Sequence, residues 1–162
     1  MNQEILLQVE NLKMHYPIRG GIFFRQIATN YAVDGVSFDI RKGETLGIVG
    51  ESGCGKSTVA KAILRLYRPT GGAVRFEGKD ISDLSARKMR SLRSDMQMIF
   101  QDPMESLNSR HTVGSILEEP FIIHSLGTRV QRRQWVIDLL TRVGLQPDAA
   151  TRFPHEFSGG QR

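Results

Sequence analysis

Cysteine is almost absent: Cys54 stands alone in the chain, so no internal disulfide can form and a stapled secreted scaffold is excluded. No apolar run approaches the roughly 18 residues that a membrane-spanning helix needs. Aromatic side chains make up only 7% of the residues and are not interleaved with basic ones, unlike the grooves that stack single-stranded nucleic acid. The opening stretch MNQEILLQVENLK has no basic segment ahead of its apolar part and carries Glu4 and Glu10 within it, so it does not read as a secretory leader. The chain is expected in the cytoplasm unless a partner tethers it. Charge of one sign is not concentrated either. The net charge is +5, but residues 1–80 hold 11 basic and 8 acidic side chains and residues 81–162 hold 11 and 9, with no basic tail. The densest basic groups, Arg87, Lys88, Arg90 and Arg93, then Arg129, Arg132 and Arg133, fall in helix-like stretches and read as solvated faces. The four histidines, His15, His111, His124 and His155, have no metal-ligand spacing.

What is present suffices for a folded protein. Hydrophobic residues account for 40% and charged ones for 24% of 162 residues, which excludes disorder, and the length fits one domain, or one and a small appendage. Residues 5–14 and 31–40 read as strands. Between them, 17–30 interrupts as a flexible loop or a hairpin extension, suggested by Gly20-Gly21 and by Phe23 and Phe24, which look exposed. Residues 45–49 (TLGIV) are short, apolar and β-branched, as a buried strand would be. A helix is expected over 56–66, a strand over 73–76, a short helix over 84–92 and a strand over 96–100. The remainder is helical, over 112–119 and 129–143. There Val136, Leu139, Leu140 and Val143 make one apolar stripe, and Gly144 sits where a helix ends. An α/β part, 1–103, therefore gives way to a helical part, 104–162.

The residues richest in chemistry are Gly50, Glu51, Ser52, Gly53, Cys54, Gly55, Lys56, Ser57 and Thr58. They match the strand–GxxxxGK[ST]–helix phosphate loop, in the required context between an apolar strand and a helix. Converging backbone N–H groups on phosphate oxygens needs residues without a Cβ, which Gly50, Gly53 and Gly55 supply. The helix that follows aims its positive end at the anion. Lys56 is suited to the β- and γ-phosphates, the Ser57 hydroxyl to Mg²⁺, and Thr58 to a further phosphate hydrogen bond. Cys54 reads as a small loop residue rather than a nucleophile.

A phosphate loop alone leaves kinases, GTPases, helicases and transport ATPases open. Two further stretches narrow the choice. Phe157-Ser158-Gly159-Gly160-Gln161-Arg162 resembles the signature motif of ABC ATPases, and Gln101-Asp102-Pro103 resembles their Q-loop. Residues 32–58, 98–110 (with Glu-Ser-Leu-Asn after Gln-Asp-Pro) and 143–162 are similar to the ATP-binding subunits of bacterial oligopeptide, dipeptide and glutathione importers. This resemblance covers nearly the whole chain. It implies an α/β P-loop NTPase core with a helical subdomain, binding ATP and Mg²⁺. It further implies that Tyr16 stacks on adenine, with Tyr31 as a rival because 17–30 obscures the spacing, and that Val33 lies beside the base. Gln101 would touch Mg²⁺ and the attacking water, whereas Ser158, Gly159, Gly160 and Gln161 would complete the nucleotide site of a partner ATPase. The partners implied are a second ATPase subunit, transmembrane permease subunits and, indirectly, a solute-binding protein, at the cytoplasmic side of the inner membrane, with no nucleic acid.

The sequence departs from the family in one respect. The Walker B strand, the catalytic Glu and the switch His that the resemblance calls for find no match in the 162 residues. The C-terminal part of the core is therefore expected to be missing, with low stability and no useful turnover by this chain alone. Two alternatives stay open: a truncated, non-catalytic nucleotide-binding module, and a soluble ABC protein acting on nucleic acid, against which the Glu-Ser-Leu-Asn stretch speaks.

Overall fold

A computed structural model describes residues 4–21, 24–100, 107–158 and 160. The chain forms two compact units, Met1–Met98 and Ile99–Arg162. The division expected at 103/104 falls inside 101–106, outside the described residues.

The first unit is built on a four-stranded antiparallel sheet. Its strands β1 (Ile5–Gly20), β2 (Arg25–Arg41), β3 (Gly71–Phe76) and β4 (Lys79–Asp80) stand in the order β2-β1-β3-β4. Leu7, Val9, Leu12 and Met14 of β1 all face one buried core, although a strict two-residue period would put 7 and 12 on opposite faces. A bulge between Val9 and Leu12 resolves the conflict. Asn11 takes φ 46° there, its N–H donates to Ser37 Oγ at 2.8 Å, and the extra residue returns Leu12 to the core side. Gly72 on β3 makes room, because a Cβ there would run into the Glu10 and Asn11 carbonyls.

β1 and β2 continue their pairing past the rest of the sheet, from Tyr16↔Asn30 to Gly20↔Arg25. The stretch expected as a loop or a hairpin extension is thus a hairpin extension. Helix α1 (Lys56–Ile63) packs Val59 and Ala62 on the sheet. It stops short of the expected Leu66 because Arg65 turns to φ 54° and Leu66 N–H closes back on the Lys61 carbonyl at 2.9 Å. The Arg65 guanidinium then donates to the Ile81 and Leu84 carbonyls, both at 3.1 Å, holding the chain that leads to α2 (Ala86–Leu92). Between β3 and β4, Glu77 and Gly78 both have positive φ, as a two-residue hairpin turn of matching twist requires.

Two expected strands do not form. Residues 45–49 and 96–100 take no part in the sheet, and Val49 and Ile99 are 95% and 96% exposed. An apolar, β-branched run becomes a strand only when neighbours satisfy its backbone groups. Among the described residues no strand flanks either segment.

In the second unit, α3 (Val113–Ile123) starts at Thr112, whose hydroxyl accepts from Ser115 N–H. Helix α4 (Arg129–Arg142) starts with a reciprocal box: Gln131 N–H donates to Thr128 Oγ1 and Thr128 N–H to Gln131 Oε1. Two 3₁₀ turns follow, Pro147–Thr151 and Pro154–Glu156. Val136, Leu140, Ala149 and Phe157 form the small core, and Glu118 pairs with Arg132 at 3.0 Å. Only half of the expected α4 stripe is buried: Leu139 and Val143 instead wall an apolar cavity of about 310 Å³ with Ile116, Leu117 and Phe157.

Candidate functional site

The glycine-rich loop runs from Gly50 to the first turn of α1, and its shape follows from three positions. Gly53 and Gly55 have φ 85° and 98°, a region that side chains with a Cβ rarely enter. Gly55 is also pressed against β2, where a Cβ would collide with the Ala32 carbonyl oxygen. Gly50 leaves room for Cys54, since a Cβ there would stand 2.6 Å from its Sγ. Cys54 N–H donates to the Glu51 carbonyl at 3.3 Å and tightens the turn.

Lys56 lies half-buried within this ring. Its ammonium donates to the carbonyls of Gly50 at 2.7 Å and Glu51 at 2.6 Å, and stands 3.6 Å from Cys54 Sγ. One cation is therefore held at the middle of the loop, where the N-terminus of α1 adds its partial positive charge. Ser57 is exposed on the first turn of α1, and Thr58 is half-buried beside it. The whole arrangement is suited to a phosphate chain.

Beside the loop opens a cavity of about 330 Å³, walled by Tyr31, Val33, Ile48, Cys54, Lys56 and Val59 among others. Val33, expected at the base, is 5% exposed and packs under Gly55. Of the two rival tyrosines, Tyr31 is in the wall, edge-on to His15 at 4.6 Å between ring centroids. Tyr16 stands edge-on to Tyr67 at 6.5 Å, beyond the C-terminal end of α1. Sequence reasoning missed Asp34, which also lines the cavity and holds His15 Nε2 at 3.0 Å. Nothing in the sequence marked it, because the contact arises from the β1–β2 register. Gln101, expected at the metal, lies outside the described residues, as do Gly159 and Gln161. Ser158 and Gly160 are exposed, and Phe157 before them is buried under the Arg152 guanidinium, 4.5 Å above its ring.

Similarity to known proteins assigns the chain to a family. The family model described as ABC transporter matches residues 33–162. The chain belongs to the ABC transporter family. Within this family it is 56% identical over 162 residues to the oligopeptide transport ATP-binding protein AppF of Bacillus subtilis, covering 99% of this chain and 49% of AppF. It is 50% identical over 159 residues to the glutathione import ATP-binding protein GsiA of Salmonella typhimurium, covering 98% and 26%. The chain thus spans about half the length of AppF and about a quarter of GsiA. Among solved structures, the dimeric ATP-binding cassette MJ0796 bound to ADP and Pi superposes with a TM-score of 0.78 at 27% identity, over 96% of this chain and 65% of that one. The expected α/β core of an ABC ATPase with a helical part is the fold found. No described helix is long and apolar enough to cross a membrane.

Proposed function

We propose that this chain binds MgATP in the loop from Gly50 to Thr58 and serves as an ATP-binding subunit of an importer for peptides or a related small solute. The observation that carries the reading is the lysine held inside a ring of glycines at a helix start. Lys56, now hydrogen-bonded to loop carbonyls, would exchange those bonds for phosphate oxygens, which are stronger, charge-assisted acceptors. Ser57 and Gln101 would hold Mg²⁺, whose chemistry there is to neutralise phosphate charge. Val33 forms the floor of the cavity into which the base would fit, with Tyr16 or Tyr31 against it.

Ser158, Gly159, Gly160 and Gln161 would face the nucleotide of a second ATPase subunit. Permease subunits would dock on the complex at the cytoplasmic side of the inner membrane, with a solute-binding protein acting through them and no nucleic acid involved. Peptide is favoured as cargo by the names of the relatives AppF and GsiA. By itself the chain is proposed to bind ATP without turning it over.

The test is titration of the chain with a fluorescent ATP analogue in the presence of Mg²⁺. Lys56→Ala is expected to weaken binding by tenfold or more, equivalent to about 1.4 kcal/mol. Unchanged affinity sinks the assignment. Turnover that disappears in Lys56→Ala would instead show that hydrolysis is intrinsic to the chain. Tyr16→Ala and Tyr31→Ala compared in the same titration decide which ring holds the base.

A further inference from the structure

β3 stops pairing with β1 at Lys13↔Gly71, and beyond that point β1 and β2 run on alone as a two-stranded ribbon. A ribbon of this kind is marginal in water unless something packs on it. Its side chains are unlike an ordinary solvated hairpin. Ile18, Ile27 and Phe24 are 46%, 69% and 77% exposed, and Ile27 folds over Gly20, which has no Cβ to push it away. Phe24 is presented by a tight turn in which its N–H donates to the Gly21 carbonyl at 3.2 Å. The charged residues of this arm are Arg19 and Arg25, and the sequence holds no Asp or Glu from Tyr16 to Val33.

Apolar side chains standing clear of the fold, flanked by arginines and free of acids, match the boundary between lipid headgroups and acyl chains of an anionic bilayer. A purely charged partner surface would match the arginines but leave the exposed Phe24 and Ile27 in water. We infer that the β1–β2 ribbon is a membrane-interface anchor, placing Phe24, Ile27 and Ile18 into the headgroup region of anionic lipid with the exposed Arg19 against the phosphates. The inference stands apart from nucleotide binding and uses none of its residues.

The test is co-sedimentation of the whole chain, without nucleotide, with vesicles of equal parts phosphatidylglycerol and phosphatidylcholine, and with phosphatidylcholine alone. Retention is expected on the mixed vesicles only. The double variant Phe24→Ser with Ile27→Ser should fall to the phosphatidylcholine level, and Arg19→Gln should weaken retention by about fivefold for the charge removed. All three positions are exposed, so an unchanged thermal melt shows that the variants fold. Three results overturn the inference: equal retention on both vesicles, undiminished retention of the double variant, or loss confined to a variant of the basic α2 face such as Arg87→Gln with Lys88→Gln. Retention that requires permease protein in the vesicle overturns it as well, in favour of a protein surface.

Discussion

At the scale of single residues, the phosphate loop separates two kinds of glycine. Gly53 has φ 85° but nothing within 4 Å of where a Cβ would stand, so Gly53→Ala meets backbone strain alone, about 1 kcal/mol. Gly55 adds the Ala32 carbonyl to a φ of 98°, so Gly55→Ala must move β2 or the loop. It is expected to cost clearly more, about 2–3 kcal/mol, and to abolish nucleotide binding. Urea denaturation of the two variants side by side checks the order, and a Gly55→Ala protein as stable as Gly53→Ala contradicts it. Asp80 offers a second residue-scale test. Hydrogen bonds from the Ser82 backbone N–H and hydroxyl hold its carboxyl below the ordinary 3.8. A carboxyl lowered in the folded state stabilises fully above its unfolded value and loses that contribution as pH falls through the folded one. The turn between β4 and Ser82 should therefore weaken below pH 3.8, and Asp80→Asn should flatten that part of the acid stability profile.

At the scale of elements, the helices of the second unit start where short polar side chains cap them. Thr128 and Gln131 satisfy each other's backbone N–H groups at the start of α4, and α4 carries Val136 and Leu140 into the small core. Thr128→Ala is expected to destabilise this unit by about 1 kcal/mol, seen as an earlier loss of Trp135 fluorescence in urea. Thr128→Ser should restore most of it. β1 is held by a different device, the bulge at Asn11 facing Gly72. Gly72→Ala pushes a methyl into two carbonyls and should uncouple β3 from β1, which hydrogen exchange at Arg75, paired with Gln8 of β1, would reveal.

At the scale of the whole molecule, the two most exposed large apolar side chains among the described residues are Val49 and Ile99, one in each of the runs 45–49 and 96–100 that find no pairing partner. Such surface drives association. Val49→Lys and Ile99→Lys are expected to leave the thermal midpoint nearly unchanged, within the ~0.5 kcal/mol typical of surface sites, while raising the concentration at which light scattering detects oligomers. A large loss of stability would mean that these side chains are packed.

The sequence by itself determined the phosphate loop, because its glycines, lysine and hydroxyls act through local backbone geometry over nine residues. It determined the strands around 5–14 and 31–40 and the helices over 56–66, 112–119 and 129–143 in outline, all set by local turn residues and periodicity. Tertiary structure decided what depends on neighbours far along the chain. Apolar runs at 45–49 and 96–100 look like strands until one asks which backbone would pair with them. Leu7 and Leu12 share a face only because of a bulge that Gly72 permits across the sheet. Tyr31 reaches the cavity wall, and Asp34 meets His15, through the β1–β2 register. Pairing and packing are relations between segments, so a pattern within one segment does not contain them.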